Sequence, residues 1–484
     1  MTQQNENRQQ ANPEIPGCIR KMSRCERFFF MSPSCTVMMA ARITGAIDEA
    51  RFRQALDAMS RVHPLLRAKV VFDKQNEAWF SSEGVPPVSL RIIPRITEQQ
   101  WLDELKNEAK EPFDIGRGPL IRCVLLHSPE VSDFLVLCNH SICDGMALAE
   151  LVRGILSRYA DPGQEIRVIR PVNAQDILKP GFSLQGLISR LFVAYANRQW
   201  HKNPYRFGPE EYAALYRGYW EERKPGVVLF EFDKSESDRL QAACREHGVT
   251  VGSALSAACL GAHAEITGGF PKSQRALMVP FDLRRRADPP LGEVFCFCVG
   301  SVRLPFAYVP QKSFWENAVT LHQKIHSLLK NPDPSCLDLP AFEPCLIDAM
   351  AAFGMFVDKV PGAYTRTGTL QRFSQDTGNI VLTLNHNFES MIPGFIPSNL
   401  GRIDVPESNG SLQLDRLVFL PAASEINPLV LGGIGTVGGM VFSLLFVDPP
   451  AKTGVSTEPQ MIQIRNRALE LLGFPEKVHQ GATV

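Results

Sequence analysis

The chain has 484 residues, and its 51 Lys+Arg balance 51 Asp+Glu, giving zero formal net charge at pH 7. That length suits two or three domain-sized units, and 44% hydrophobic with 21% charged residues describes a globular chain with a substantial core. Balanced charge excludes a protein that coats nucleic acid, which needs excess cations on one face, and removes long-range attraction to anionic membranes.

Twelve cysteines run from Cys18 to Cys345 without a CxxC pair; the close set Cys296 and Cys298 lacks further ligands at zinc spacing. The opening residues MTQQNENRQQANPEIPG carry no apolar run of a signal peptide. Together these predict a reducing, cytoplasmic setting with thiols acting as small buried hydrophobes.

In chain order, residues 1–17 are expected to be a disordered tail. FFFMSPSCTVMMAARITG reads as one or two strands, and Asp48 opens a helix that stops before Pro64. LRAKVVFD reads as a strand, followed by a helix from about Glu98 to Lys110 and the strand LIRCVLLHS. FLVLCNH is an almost wholly apolar strand of the buried kind, SICDG a turn, and MALAELVRGILSRYA a helix. Residues 18–170 thus form a first lobe. Residues 171–224, with Pro171, Pro180 and Pro204, read as a crossover carrying one amphipathic helix near Leu184 to Trp200. That helix could pack across the lobes or make peripheral membrane contact.

The second lobe, residues 225–484, restarts with strand VVLFEF, a helix from Ser235 to Glu246 and a Thr250-capped helix, VGSALSAACLGAHAEI. Strands ALMVPFDL and CFCVGSVRLPF, a helix near Ser313 to Leu329, further strands in NIVLTLNHNF and a last helix in QMIQIRNRALELLGF follow. NPLVLGGIGTVGGMVFSLLFV is uncharged over about a bilayer's length, but its five glycines fit two buried strands joined by a bend. Its GxGxxG match (Gly433, Gly435, Gly438) precedes a strand stopped by prolines, where a dinucleotide fold needs a helix.

The sharpest local feature is His140-Ser141-Ile142-Cys143-Asp144-Gly145, between a buried strand and a helix. A histidine at a strand's end projects toward the cleft that the sheet's end faces, and an imidazole titrating near pH 6.5 suits proton removal from an alcohol or amine. Asp144 is expected to fix the loop through an ion pair, and Gly145 to supply a backbone angle that other residues resist. On its own, HxxxDG also fits a structural histidine. His322 and His326 stand at metal-ligand spacing without a third ligand and read as a solvated helix face. No phosphate-loop Gly-Lys-Ser/Thr and no GxSxG elbow occurs.

Around this motif the sequence resembles the CoA-dependent acyltransferase superfamily, whose signature is HxxxD, commonly HHxxxDG. That group includes chloramphenicol acetyltransferase, peptide-synthetase condensation domains, polyketide-associated acyltransferases and alcohol acetyltransferases. Other segments resemble it in the same order: RVHPLLRAKV, PFDIGRGPLIRCVLL, VPFDLRRRADPPLGEVFCFCVGS and SNLGRIDVP, so that the likeness spans roughly residues 20 to 475.

The resemblance implies an α/β, two-lobed, chloramphenicol acetyltransferase-like fold, its mixed sheets flanked by helices and its active-site channel between the lobes. It implies His140 as general base, moving an acyl group from acyl-CoA or an acyl-carrier protein to a hydroxyl. Asp144 and Gly145 become structural, with Arg284 as the partner of Asp144 and Arg67 as the fallback. Asn139, Ser398 and Asn399 become oxyanion or substrate-channel candidates. The implied chemistry uses no metal and no prosthetic group; the CoA or phosphopantetheine thioester is a co-substrate. The acceptor is an alcohol or lipid-like molecule, and the enzyme a monomer. Asn139 replaces the first His of HHxxxDG, which leans toward alcohol acyltransferases, as does the stretch LFEFDKSESDRLQAACREHGVTVGSALSAA. The rivals are a condensation-type, amide-forming enzyme of peptide or lipopeptide assembly and a non-catalytic binding module. Arg284-Arg285-Arg286 either grips a donor phosphate or is a surface run with one inward arginine.

Overall fold

The computed structural model describes residues 12–177, 184–330, 341–389, 392–404, 408–424, 429–450 and 456–479. Strands in the first half are β1 (Cys18–Lys21), β2 (Thr36–Thr44), β3 (Lys69–Phe72), β4 (Ala78–Ser81), β5 (Leu90–Pro94), β6 (Ile121–His127) and β7 (Val131–Asn139). The second half supplies β8 (Lys224–Asp233), β9 (Ala276–Asp282), β10 (Val299–Pro305), β11 (Phe395–Arg402), β12 (Ser408–Asn409), β13 (Leu412–Leu420), β14 (Leu429–Gly435) and β15 (Gly439–Asp448).

Two six-stranded mixed sheets carry the fold, ordered β12-β13-β2-β7-β6-β5 and β10-β9-β11-β14-β15-β8, beside a small sheet β1-β4-β3. The first sheet does not stop at residue 170. β13, from the second half, pairs antiparallel with β2, setting Phe419 opposite Met39. The lobe expected over residues 225–484 therefore lends a strand to its partner. Alternation along β2 explains how the sheets meet: Val37, Met39, Ala41 and Ile43 join the core beneath the first-lobe helices. Met38 and Ala40 point the other way, into a cluster shared with Val430, Val441 and Leu445 of the second sheet. β7 is buried on both faces in the same manner, which is why FLVLCNH shows no polar alternation.

Several expected elements differ. The FFF run lies in the helix Arg24–Phe30, where Ser23 and Glu26 form a reciprocal capping box; only Thr36–Thr44 of that segment is a strand. NIVLTLNHNF, expected as strand, is the helix Ile380–Glu389, whose first turn is held by Asn379 Oδ1 accepting from Val381 N at 2.9 Å. A short apolar run has no decisive period, and Val381 and Leu384 meet the core at helical spacing. The crossover holds a second helix, Pro209–Glu222, whose Tyr212, Tyr216 and Tyr219 are fully buried, so it belongs to the core.

Residues 12–17 of the expected tail are ordered. Ile15 is 7% exposed, and Ser81 Oγ and Ser82 N donate to the carbonyls of Pro16 and Gly17. Residues 1–11 of that tail lie outside the described residues. Cys296 and Cys298 precede β10 rather than lying in it, and every described cysteine is a free thiol. The glycine-rich stretch is the antiparallel pair β14 and β15, as read. In the helix Leu184–Trp200, Val193, Ala196 and Trp200 are buried, while Asn197 bonds Ala341 O at 2.9 Å and Glu343 N at 3.1 Å. No single helix among the described residues is long and apolar enough to cross a membrane.

Candidate functional site

The turn between β7 and the helix Gly145–Ala160 is fixed from both ends. At its start, His140 N donates to Cys35 O beside β2 at 3.0 Å. Asn139 Nδ2 donates to Phe30 O at 3.2 Å, and its Oδ1 accepts from Ser141 N at 3.0 Å and Ser141 Oγ at 2.6 Å. Asn139 is 2% exposed. Its carboxamide is thus a strut of the turn, with Nδ2 held by the Phe30 carbonyl. At the other end Asp144 caps the helix, its Oδ1 accepting from Ala147 N at 2.8 Å.

His140 Nδ1 lies 2.8 Å from the Cys143 carbonyl oxygen. A carbonyl can only accept, so Nδ1 carries the proton and Nε2 keeps its lone pair. The ring packs against Phe29 at 4.8 Å and edge-on to Phe297 at 5.2 Å between centroids. Burial lowers the imidazole pKa from its ordinary 6.5, outweighing the Cys143 carbonyl and the Asp144 charge. The ring is therefore neutral at pH 7, with one basic nitrogen.

The second lobe meets this turn through charge. Asp144 Oδ2 accepts from Arg284 Nη1 at 2.8 Å and from Cys298 N at 2.9 Å. Arg284 Nη2 donates to the carbonyls of Val294 (3.1 Å) and Cys296 (3.0 Å), so the loop before β10 wraps the guanidinium. Arg284 is 7% exposed and Asp144 1%. Burial alone would lower the arginine's pKa; the charge and hydrogen bond of Asp144 raise it above the ordinary value instead. Arg67 is exposed in the turn Pro64–Arg67 and takes no part in this pair. Arg286 donates to Leu329 O at 2.6 Å, and Arg285 is exposed. Of the three arginines, Arg284 turns inward to Asp144 while Arg285 stays at the surface.

Gly145 is needed for space rather than for backbone angle. Its φ is not positive, but a Cβ there would sit 2.6 Å from ring carbons of Phe419 and 2.8 Å from Leu400 Cδ2. β13 and β11 therefore pack directly on the turn. Ser398 shares the Leu400 face of β11, with Ile396, which joins the cluster between the sheets. Asn399 takes the opposite face, exposed, its Oδ1 accepting from Gly401 N at 2.9 Å. Of these two channel candidates, only Ser398 stands on the side of the turn.

His322 Nδ1 lies 3.1 Å from Ser253 Oγ, and no group of three or more metal-binding side chains occurs among the described residues. Sequence reasoning missed Phe29, Phe297, the Cys143 carbonyl and the Cys298 amide, none of which a residue pattern marks. It also missed His63, 5% exposed, whose pKa burial lowers to about 4.

Residues 22–170 match the Condensation domain family, and residues 221–331 match the Phthiocerol/phthiodiolone dimycocerosyl transferase C-terminus family. The phosphinothricin tripeptide synthetase PhsC of Streptomyces viridochromogenes is 23% identical over 327 residues, 62% of this chain and 28% of that protein. The chain spans less than a third of the curated relatives' length, and only 9% of the nonribosomal peptide synthetase ataP of Aspergillus terreus, which is 30% identical over 154 residues, 30% of this chain. The first condensation domain of the CDA synthetase superposes with a TM-score of 0.60 at 13% identity, covering 96% of this chain and 98% of that one. The TRI3 trichothecene 15-O-acetyltransferase from Fusarium sporotrichioides gives 0.60 at 12% identity, covering 94% and 95%. At such identities the likeness is one of fold.

Proposed function

We propose that the chain moves an acyl group from a thioester to a hydroxyl, a reading supported by the matches of residues 22–170 and 221–331 to the condensation and dimycocerosyl transferase families. The donor is acyl-CoA or an acylated carrier protein. His140 Nε2 takes the acceptor's proton, the oxygen attacks the thioester carbonyl, a C–O bond forms and the C–S bond breaks. The imidazolium then returns its proton to the leaving thiolate. The thioester is the only co-reactant this step requires. One observation carries the reading: the Cys143 carbonyl holds the proton on Nδ1 and leaves Nε2 basic, while burial keeps the ring neutral. Asp144 and Arg284 act one step removed, holding the turn that aims the ring. With zero net charge overall, an anionic donor needs a local cation, and the exposed Arg285, next to Arg284 and 3.9 Å from Asp282, is a candidate.

A second reading, amide formation on carrier-bound substrates, is favoured by the match of residues 22–170 to condensation domains and by the peptide-synthetase relatives. The two separate in one assay. Free-thiol release is followed with acyl-CoAs from acetyl to palmitoyl, and with an acylated carrier protein, each against alcohol and amine acceptors. Ester formation supports the proposal. Amide formed only from the carrier moves the assignment to the second reading, and no turnover with any pair rejects both.

A further inference from the structure

We infer that Phe29, packed on the buried Phe297, forms the acceptor-facing wall of the site and selects a hydroxyl carried on an apolar, ring-bearing skeleton. The choice of acceptor over donor rests on the transferase reading above. Three rings from three distant segments touch one another: His140 to Phe29 at 4.8 Å, His140 to Phe297 at 5.2 Å, and Phe29 to Phe297 at 5.2 Å. Phe28 backs Phe29 edge-on at 5.3 Å. Phe297 is 3% exposed, whereas Phe29 and His140 are partly open, so these two make the accessible side of the set.

An acceptor oxygen must approach Nε2 to about 3 Å, which brings its carbon skeleton beside the imidazole, where the partly open Phe29 ring lies 4.8 Å away between centroids. The polar groups beside the imidazole are already engaged. The Cys143 carbonyl takes the Nδ1 proton, and Asp144 and Arg284 are turned upon each other and the loop backbone. The partly open ring packed against the base is Phe29, and aromatic surface prefers offset or edge-on rings to hydrated chains.

The test is the ratio of kcat/KM for 2-phenylethanol to that for glycerol, in wild type, Phe29→Ala and Phe29→Leu. A ratio is blind to the fraction of protein that folds. Wild type is expected to favour 2-phenylethanol, with the ratio falling about tenfold in Phe29→Ala and by less in Phe29→Leu. A wild type that favours glycerol, or a ratio that does not fall in Phe29→Ala, overturns the inference. If neither alcohol is acylated, calorimetric binding of 2-phenylethanol to the same three proteins decides. Binding that weakens about tenfold in Phe29→Ala leaves the wall standing while the transferase reading fails; no binding, or binding indifferent to Phe29, overturns the wall as well.

Discussion

Replacing Arg284 with Met removes a guanidinium that joins the lobes at one point. Its loss strips Asp144 Oδ2 of a 2.8 Å charged partner and deprives the Val294 and Cys296 carbonyls of their donors. At an effective dielectric of about 20, two unit charges at that separation attract by roughly 6 kcal/mol before desolvation is subtracted. Desolvation offsets part of this, and breaking a buried pair from one side costs about 3–5 kcal/mol because the other charge is left uncompensated. Asp144 keeps the Cys298 and Ala147 amides, which places the expected loss toward the lower end of that range. Equilibrium urea unfolding of wild type, Arg284→Met, Asp144→Asn and the double variant measures it. The double variant should lose at least about 1 kcal/mol less than the sum of the singles, since the orphaned charge is then gone. An Arg284→Met protein within about 1 kcal/mol of wild type, or strictly additive singles, would refute the stabilising role of the Asp144–Arg284 pair.

Two further outcomes follow from packing and burial. Gly145→Ala places a Cβ 2.6 Å from the Phe419 ring and should cost about 1–3 kcal/mol; a thermal melt indistinguishable from wild type would contradict the close approach. His63 is buried with its pKa lowered from 6.5 to about 4 by desolvation, which outweighs the opposing charge of Glu293. The unfolded chain takes up that proton as pH falls through 6.5 while the folded chain resists it until about 4. Stability present above the unfolded value is therefore lost across that window, by up to about 3 kcal/mol. In His63→Leu, the drop in unfolding free energy between neutral pH and about pH 4 should shrink by roughly that amount. An unchanged drop would show that His63 is not buried neutral.

The parts of the site legible in the sequence are those written locally. His140 and Asp144 are four residues apart on a strand–turn–helix, and the triple arginine follows a clear strand. The rest depends on partners far along the chain. Nothing near Asn139 announces that its amide is claimed by a carbonyl 109 residues earlier. Phe29 and Phe297 become neighbours of the base only after the helix Arg24–Phe30 and the loop before β10 converge. Gly145 reads as a turn glycine until Phe419 and Leu400 are seen pressing on it, Phe419 because β13 crosses into the first sheet and Leu400 from β11 of the second. Some local signal was available and outweighed: Ser23 and Glu26 spell a capping box before FFF, but three phenylalanines in a row suggest a strand.

Catalysis in this site depends on the free Nε2 of His140 carrying the proton transfer. Single-turnover ester formation from the best acyl-CoA and alcohol pair, wild type against His140→Ala, tests it most directly. The expected rate in His140→Ala is lower by about 10²- to 10⁴-fold, in a variant whose thermal melt matches wild type. A well-folded His140→Ala protein that forms ester within about tenfold of the wild-type rate would contradict it.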